Sequence, residues 1–427
     1  MLGSRDRTVL LFALRNRLEH NPAVVYKTVY LGETIAVAES LPRWKCVPID
    51  LDVDDESLTS LIDRFAQIPE AILIWCEVHQ ARLAQQIATL AKQVSPETRI
   101  LVFGRATAFI PQFFERWPFD AVHVDGDREA AIRAFLAGGS TPDGISTMPG
   151  GGGPYVRARG VRLEPTAWPY PTLDRLPLDR YADFTERTHG PAYSKRIAVT
   201  VSKGCALACA YCGASQEEGT RDRRRSVEPL LRWATLEGVD SRDALLHLFA
   251  PDLFVDQRWI RSFAEAYASA GANFHWRGVT TTRALQDSET VRAAGKNGCR
   301  ELAIGVEHVR SKSGKPVKSS LEELRTAASL TRDANIKLKG LMMIGYPSQT
   351  EDDILYVEDL ASEMGMTLRY TGYTPLHHLR WKSQTELDAM SLESYDRRTF
   401  YNSDLSKMSP QFFYKRLVAN GGYFVPV

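Results

Sequence analysis

The sequence predicts an α/β protein in which a doubly wound, Rossmann-like domain precedes a partial (β/α)6 barrel. Two series of short apolar runs alternate with amphipathic stretches, one before residue 140 and one after residue 195. A Gly/Pro/Ser-rich stretch over residues 138–154 separates the two series. Because strands that alternate with helices form parallel sheets, the pattern indicates two α/β domains joined by a linker.

The first series predicts five parallel strands with helices between them. The strands are predicted over residues 9–14, 46–51, 71–76, 99–104 and 121–125, and the helices over 28–41, 55–67, 80–94 and 127–137. Ligands of doubly wound sheets bind at the carboxyl ends of the strands. We therefore expect ligand contacts near the strand ends, at Gly32, Trp75–Val78, Gly104–Thr107 and Asp125–Glu129.

The second series predicts six further strands, over residues 197–202, 244–251, 274–282, 301–307, 337–347 and 368–376. Six successive βα units form a partial or full parallel barrel, whose chemistry lies in the loops at the strand carboxyl ends. The predicted domains are 1–140 (Rossmann-like), 141–194 (linker), 195–380 (barrel) and 381–427 (a helical, aromatic extension).

Composition and charge narrow the class of protein. The formal net charge is +1, so no global field favours nucleic acid or an anionic membrane surface. No apolar run reaches the ~18 residues of a membrane-spanning helix, and the N-terminal run is too short for a secretory signal. We therefore expect a cytoplasmic protein with no nucleic-acid or membrane partner. The arginine-rich run 221–225 is interpreted as a solvated loop, or otherwise as a site for a phosphate, a carboxylate or a partner protein.

Three of the six cysteines lie within eight residues, at Cys205, Cys209 and Cys212, directly after a predicted strand. Thiolates are the preferred ligands of iron–sulfur clusters. Three cysteines at this spacing can each bind one iron of a 4Fe–4S cubane and leave the fourth iron open. Of the remaining cysteines, Cys299 is predicted to be a core residue.

Zinc and inert structural cysteines are the alternative interpretations of the same loop. A structural zinc site needs four ligands, usually supplied as two pairs. No fourth Cys or His follows Cys212 within about thirty residues, and His189 lies isolated upstream. The pattern therefore favours the iron–sulfur cluster.

The string Cys205-x3-Cys209-Ala-Tyr211-Cys212 resembles the signature of the radical S-adenosylmethionine (radical SAM) superfamily. The resemblance implies that the open iron binds the amino and carboxylate groups of S-adenosylmethionine. An electron from the cluster would then cleave the sulfonium to give a 5′-deoxyadenosyl radical, which abstracts a hydrogen atom. Tyr211 would lie against the adenine.

Other segments of the predicted barrel resemble cofactor-binding motifs of the same superfamily. Gly305 and Glu307 match a fourth-strand motif beside the cofactor, and Gly345 belongs to a motif near the adenine. Asp252 matches an acidic position after the second strand. Arg283 matches an arginine position, after the third strand, that faces the cofactor carboxylate. The alternatives are a helix cap for Glu307, a surface or ion-pair role for Arg283, and packing roles for the two glycines.

The domain order resembles the cobalamin-binding branch of the superfamily over roughly residues 8–380. The resemblance implies cobalamin contacts from Gly104, Thr107, Gly126 and Glu129. Two features depart from the pattern: Arg105 replaces one glycine of a Gly-Gly pair, and no Asp-x-His-x-x-Gly motif is present. Bulk at a glycine position would keep a large corrin from approaching the backbone, so the presence of cobalamin stays open. His79 and His123 are predicted to be surface or loop residues.

Two enzyme functions follow from the resemblance. The first is cobalamin-dependent C-methylation of a small, natural-product-type molecule. The second is a cobalamin-independent radical rearrangement, dehydration, dehydrogenation or epimerisation, in which Tyr370, Tyr373, His377 and His378 relay protons or electrons or pack in a lid. Both require a flavodoxin-type or other low-potential electron donor. A non-catalytic iron–sulfur or binding protein is the alternative from another class.

Overall fold

The chain forms two compact units in a computed structural model. The structure describes residues 6–15, 27–54, 56–138, 145–147, 156–157, 159–181, 193–207, 209, 212–306, 320–347, 349–396, 399–419 and 423–425. Unit 1 comprises Met1–Thr185, Lys203–Arg223 and Pro375–Tyr395, and unit 2 comprises Glu186–Ser202, Arg224–Thr374 and Asp396–Val427. No helix in the described part of the chain has both the length and the apolar character that crossing a membrane requires.

Unit 1 contains a seven-stranded sheet with the strand order β2-β1-β3-β4-β5-β6-β7. Strands β1 to β5 pair in parallel, whereas β6 and β7 extend the sheet antiparallel. Because β1 has β2 on one side and β3 on the other, the sheet has the topological switch of a doubly wound fold. The strands are β1 (Arg7–Ala13), β2 (Trp44–Asp50), β3 (Ala71–Trp75), β4 (Arg99–Phe103), β5 (Ala121–His123), β6 (Ile145–Thr147) and β7 (Val156–Arg157).

Amphipathic helices follow the strands of unit 1. In α3, for example, buried alanines and Ile87 recur at three- and four-residue spacing and face the sheet. A π-helical turn over Thr28–Gly32 precedes α1. The helices are α1 (Glu33–Glu39), α2 (Leu58–Ala66), α3 (Ala81–Val94), α4 (Arg105–Phe109), α5 (Pro111–Phe114), α6 (Arg128–Ala137) and α7 (Ala214–Glu218).

Unit 2 contains a second seven-stranded sheet, ordered β16-β15-β14-β13-β12-β11-β8. Six of its strands pair in parallel and in chain order, as in a partial barrel, and β16 pairs antiparallel with β15. Two-residue strands, β9 (Ser202–Lys203) and β10 (Arg223–Arg224), flank the cysteine loop. The sheet strands are β8 (Lys195–Thr200), β11 (Ala244–Phe249), β12 (His275–Thr280), β13 (Cys299–Gly305), β14 (Lys337–Ile344), β15 (Thr367–Gly372) and β16 (Tyr423–Phe424).

The two faces of the unit 2 sheet differ in burial. On β12, Trp276 is fully buried, and its ring packs edge-to-face on Phe263 at 5.5 Å on the helix side. The alternate residues His275, Arg277 and Val279 are only partly buried on the other face. Solvent therefore reaches the inner face of the partial barrel in the described part of the structure. The helices are α8 (Val227–Leu236), α9 (Gln257–Ser269), α10 (Ser288–Lys296), α11 (Leu321–Asp333), α12 (Glu351–Met364) and α13 (Pro410–Val418).

The predicted fold class, a doubly wound domain plus a partial (β/α)6 barrel, is confirmed. Each predicted strand overlaps an observed one, because continuous apolar runs are typical of parallel strands buried on both faces. Two short strands, β6 and β7, lie within the segment 141–194 that was predicted as a linker and extend the sheet of unit 1. The compact units also interleave along the chain: four leucines of the segment 375–395 belong to the core of unit 1.

Candidate functional site

The cysteine loop follows β8 and presents three partly exposed thiols, from Cys205, Cys209 and Cys212. The backbone amide of Cys205 donates to the Gly219 carbonyl at 3.0 Å, and that of Cys212 to the Cys209 carbonyl at 3.0 Å. Gly204 has φ +87°, and a Cβ atom there would lie 2.1 Å from the Arg221 carbonyl oxygen. Only glycine therefore fits immediately before the first cysteine. Tyr211 lies outside the described residues.

Both ends of the cysteine loop are held by buried ion pairs to the start of α6. The Lys203 Nζ atom lies 2.6 Å from the Glu129 carboxylate, with side chains 2% and 1% exposed. At the other end, the Arg223 guanidinium donates to both oxygens of Asp127, at 2.7 and 2.8 Å. We call Asp127, Glu129, Trp168, Lys203 and Arg223 the loop clamp.

Trp168 joins the two ends of the loop clamp. Its ring lies 5.0 Å from Lys203 Nζ and 5.4 Å from the Arg223 guanidinium carbon, and its indole nitrogen donates to Asp127 at 3.2 Å. Burial opposes ionisation of Glu129, but the charges of Lys203 and Arg128 outweigh it and lower the pKa of that carboxyl to about 2. The clamp thus stays ionised at neutral pH and fixes both ends of the loop.

A second charged cluster holds the middle of the cysteine loop. Arg105, at the start of α4, lies between Glu77 at 3.8 Å and Glu217 of α7 at 3.2 Å. The Arg162 guanidinium also donates to the Glu217 carbonyl at 2.7 Å. Arg105, which departs from the glycine of the family pattern, therefore acts in this structure as a contact between the doubly wound sheet and the loop.

The donor set of the loop fits a cubane cluster. Burial raises the pKa of the thiols of Cys46, Cys76 and Cys299, which disfavours the thiolate form that binds metals. The prediction that Cys299 is a core residue is confirmed, since it is fully buried. Among the described residues, no three Cys, His, Asp or Glu side chains converge on a single-ion site. A cubane does not need such convergence, because each thiolate binds a different iron.

The four residues expected to contact cobalamin, Gly104, Thr107, Gly126 and Glu129, make close contacts within their own chain. A Cβ atom at Gly104 would lie 2.7 Å from the Cys76 carbonyl oxygen, and one at Gly126 would lie 2.6 Å from Gly160 Cα. The Thr107 hydroxyl donates to the Gly104 carbonyl at 2.9 Å, while Glu129 binds Lys203 in the loop clamp. These residues contact their own chain in this structure, and their contacts with a corrin stay predictions.

The two histidines of unit 1 differ in setting. His79 lies in a short 3₁₀ helix, Val78–Gln80, after β3. His123 ends β5, and its Nε2 atom is buried with no hydrogen-bond partner among the described residues. Burial lowers the pKa of His123 to about 4, so its imidazole is neutral at pH 7. His123 is thus a neutral nitrogen donor at the carboxyl edge of the sheet rather than a solvated loop residue.

In unit 2, Asp252 lies at the carboxyl end of β11 and is held by hydroxyl groups. Thr280 and Thr281 donate to its two carboxylate oxygens at 2.7 and 3.0 Å. Arg283 begins a 3₁₀ turn after β12, and its side chain is exposed. Gly305 ends β13, and Glu307 lies outside the described residues.

Gly345, Tyr370 and Tyr373 lie at or near the carboxyl ends of β14 and β15. Gly345 has φ +80°, and a Cβ atom there would meet the Phe413 ring at 2.9 Å, so glycine is required. The Tyr373 ring packs edge-to-face on Tyr346 at 4.6 Å, and burial raises its pKa to about 12. Tyr370 instead hydrogen-bonds Glu358 of α12, on the helix side of the sheet.

His377 and His378 lie in a short helix, Leu376–Leu379, which belongs to unit 1. Their rings contact each other at 4.1 Å. Tyr370 faces the helix side of the sheet, and His377 and His378 belong to unit 1. The four predicted relay residues are therefore not brought together in unit 2. Tyr373 alone of the four lies at a strand end of the barrel.

The arginine run was misinterpreted as a solvated loop. Arg223 belongs to the loop clamp, and Arg224 donates to the Leu253 and Asp252 carbonyls at 2.6 and 3.0 Å. Arg225 is buried and donates to the Thr200 carbonyl at 2.6 Å. A buried acidic partner cannot be recognised from the run itself, because Asp127 is 96 residues away in the chain.

Residues 199–361 match the model of the radical SAM superfamily. The matched segment begins within β8, contains the cysteine loop and ends within α12.

Two curated proteins are similar in sequence. An uncharacterized methyltransferase of Pyrococcus horikoshii is 21% identical over 71% of this chain and 66% of its own length. Bacteriochlorophyllide d C-12(1)-methyltransferase of Chlorobaculum tepidum is 22% identical over 38% of this chain and 36% of its own length. The matched regions thus span about two thirds of the first relative and about one third of the second.

Two solved structures share the fold. The radical S-adenosylmethionine methyltransferase TsrM from Kitasatospora setae, with tryptophan substrate and a SAM analog bound, superposes with a TM-score of 0.65 at 16% identity over 87% of this chain and 75% of that one. The cobalamin-dependent S-adenosylmethionine radical enzyme OxsB, with aqua-cobalamin bound, gives a TM-score of 0.67 at 16% identity, over 97% of this chain and 60% of that one.

The loop clamp predicts that Asp127→Asn loosens the cysteine loop. The substitution leaves the Arg223 guanidinium buried beside a neutral amide, which we expect to lower the free energy of unfolding by about 3 kcal/mol. Amide hydrogen exchange of residues 204–222 should accelerate relative to that of β1 and β3. Asp388→Asn is the matched control, because its arginine partners are at the surface and its loss should cost about 1 kcal/mol or less. Equal exchange in the two variants would contradict the clamp.

Proposed function

We propose that the chain, whose residues 199–361 match the model of the radical SAM superfamily, cleaves S-adenosylmethionine and uses the resulting radical on a small-molecule substrate. The observation that carries the proposal is the clamped loop with Cys205, Cys209 and Cys212, within a segment that matches the family model. When bound there, a 4Fe–4S cluster supplies the electron that cleaves the sulfonium to methionine and a 5′-deoxyadenosyl radical. That radical takes a hydrogen atom from the substrate and becomes 5′-deoxyadenosine.

The residues of the chain have separate roles in this proposal. The three thiolates would each bind one iron of the cluster, and the loop clamp would hold both ends of the loop that carries them. Gly204 lets the backbone turn into the loop without steric conflict. Asp252, whose carboxylate Thr280 and Thr281 hold in one orientation, offers an acceptor for hydroxyl or amino groups of a ligand at the strand ends. Tyr211, Arg283, Gly305, Glu307 and Gly345 stay predicted cofactor contacts.

For the outcome of the radical reaction we propose C-methylation with cobalamin first. The support is the fold shared with TsrM and OxsB over most of this chain, together with two relatives named as methyltransferases. The neutral Nε2 atom of His123, which has no hydrogen-bond partner in the part of the doubly wound unit that the structure describes, adds a nitrogen donor. Gly104, Thr107, Gly126 and Glu129 stay predicted corrin contacts, and we derive no step through cobalamin.

The second candidate is a cobalamin-independent radical rearrangement, dehydration, dehydrogenation or epimerisation. The specific observation in its favour is that Arg105, which replaces a glycine of the family pattern, forms ion pairs with Glu77 and Glu217. Tyr373 is the predicted relay residue that lies at a barrel strand end. Both candidates need a low-potential electron donor of the flavodoxin type, and the cytoplasm stays the predicted location.

The assignment of a cluster to Cys205, Cys209 and Cys212 predicts different results for these three cysteines and for the buried Cys299. After anaerobic reconstitution with iron and sulfide, the protein should contain about four iron atoms per chain. The triple variant Cys205→Ala, Cys209→Ala, Cys212→Ala should lose that iron and form no 5′-deoxyadenosine from S-adenosylmethionine under reducing conditions. The control Cys299→Ala should keep both, since its thiol is buried away from the loop. Iron retained by the triple variant would refute the assignment.

Cobalt content separates the two proposed outcomes. After reconstitution with hydroxocobalamin and desalting, C-methylation predicts about one cobalt per chain and a corrinoid absorbance band. His123→Ala should shift that band if the imidazole binds cobalt, whereas His79→Ala should not. Four irons without cobalt would exclude cobalamin dependence and leave the cobalamin-independent reaction as the proposal.

A further inference from the structure

Each of the six parallel strands of unit 2 contributes one ionisable residue to a group on the inner face of the sheet. We call this group the barrel belt. Its strands are β8, β11, β12, β13, β14 and β15, and its members are Arg196, His247, Arg277, Glu301, Lys339 and Arg369.

The register and the contacts place His247, Arg277, Glu301 and Lys339 next to one another. Arg196 pairs in register with Leu245 and Arg369 with Leu341, so each lies two residues along from the belt residue of the neighbouring strand. His247 pairs in register with Arg277, and Arg277 with Glu301. The Glu301 carboxylate accepts from Lys339 at 2.7 Å and from Arg277 at 3.3 Å. On β12, the neighbour Trp276 packs on α9, so Arg277 lies on the opposite, inner face.

The belt has an excess of positive charge. It contains four cationic side chains and a single carboxylate, Glu301, which Arg277 and Lys339 share. Burial, and secondarily the charge of Arg277, lowers the pKa of His247 well below its ordinary value. This imidazole is therefore neutral and does not change the net charge of the belt. The Lys339 and Arg369 cations lie 5.4 and 5.6 Å from the Tyr423 ring.

Two observations indicate that Arg277 and Lys339 can accommodate a further anionic partner within the described structure. The Nε atom of Arg277 is buried and has no hydrogen-bond partner among the described residues. Burial also lowers the pKa of Lys339 to about 8 despite the adjacent Glu301 carboxylate. Since that pKa lies below the unfolded value, the protonated lysine costs folding free energy below about pH 8, and a bound anion would offset this cost.

The inner face is reached by solvent, and it becomes apolar beyond the belt. Arg277 and Lys339 keep 18% and 12% of their side-chain surfaces exposed. The next inward residues toward the carboxyl ends of β12, β13 and β14 are Val279, Ala303 and Leu341. A ligand can therefore place an anionic end on the belt and an apolar part toward the strand ends.

We propose that the barrel belt binds an oxyanion, a carboxylate or a phosphate, at one end of the substrate. The proposal deepens the proposed function, because it assigns the substrate to amphiphilic organic acids or phosphate esters that have an apolar reactive part. Glu301 orients Arg277 and Lys339, and the cationic side chains supply the charge that faces the anion. No chemical step is assigned to the belt.

The test measures binding of two probes to the reconstituted full chain, inorganic phosphate and succinate, by titration calorimetry at low ionic strength. We expect one site per chain for at least one probe, and the tighter probe identifies the class of oxyanion. Lys339→Met and Arg369→Gln should each weaken binding about tenfold or more, because each removes one cation from a partly desolvated site. The control Lys296→Gln, on the exposed side of α10, should bind as the unsubstituted protein does.

We expect Arg369→Gln to fold, because Arg369 contacts the Tyr423 ring and is not needed to neutralise Glu301. Weaker binding by this variant therefore reports on the belt and not on misfolding. Iron content is measured in the same samples. Binding that is absent, or unchanged in both variants, while about four irons are present, overturns the belt proposal and leaves the radical SAM function standing. Belt-dependent anion binding in a protein that holds no iron supports the belt and removes the proposed function.

Discussion

Two buried ion pairs at the ends of the cysteine loop determine how the thiols are presented. Lys203 and Arg223 are twenty residues apart in sequence, yet their partners Glu129 and Asp127 are two residues apart at the start of α6. Closing a loop of this length costs conformational entropy whether or not a ligand is present. Because the clamp meets that cost within unit 1, the two ends of the cysteine loop are held together without a cluster.

Burial makes the clamp effective and also vulnerable. A buried ion pair gains little over well-packed apolar side chains, but removing one partner leaves an uncompensated charge. The start of α6 reduces this cost, because the positive end of a helix dipole favours the carboxylates of Asp127 and Glu129. Trp168 contributes further, since its ring contacts both cations and its indole N–H reaches Asp127. Arg105 and Glu217 extend the same principle to the middle of the loop.

The sequence predicted those features that depend on local pattern. Apolar runs and the spacing of Cys205, Cys209 and Cys212 are local signals, and they led to both sheets and to the cluster loop. The loop clamp and the barrel belt depend on pairs far apart in the chain, such as Arg223 with Asp127 or Glu301 with Lys339, which no single-sequence pattern contains. The arginine run was misinterpreted for that reason. Strands β6 and β16 were missed because they are two or three residues long and extend sheets that other segments nucleate.

The central claim is that three clamped thiols hold a cubane with one open iron. Electron paramagnetic resonance of the anaerobically reconstituted, dithionite-reduced protein, recorded with and without S-adenosylmethionine, tests this claim most directly. The account predicts a single reduced 4Fe–4S signal whose g-values shift when S-adenosylmethionine is added, because the molecule binds the open iron. A cluster signal that S-adenosylmethionine leaves unchanged, or no cluster signal at all, would contradict it.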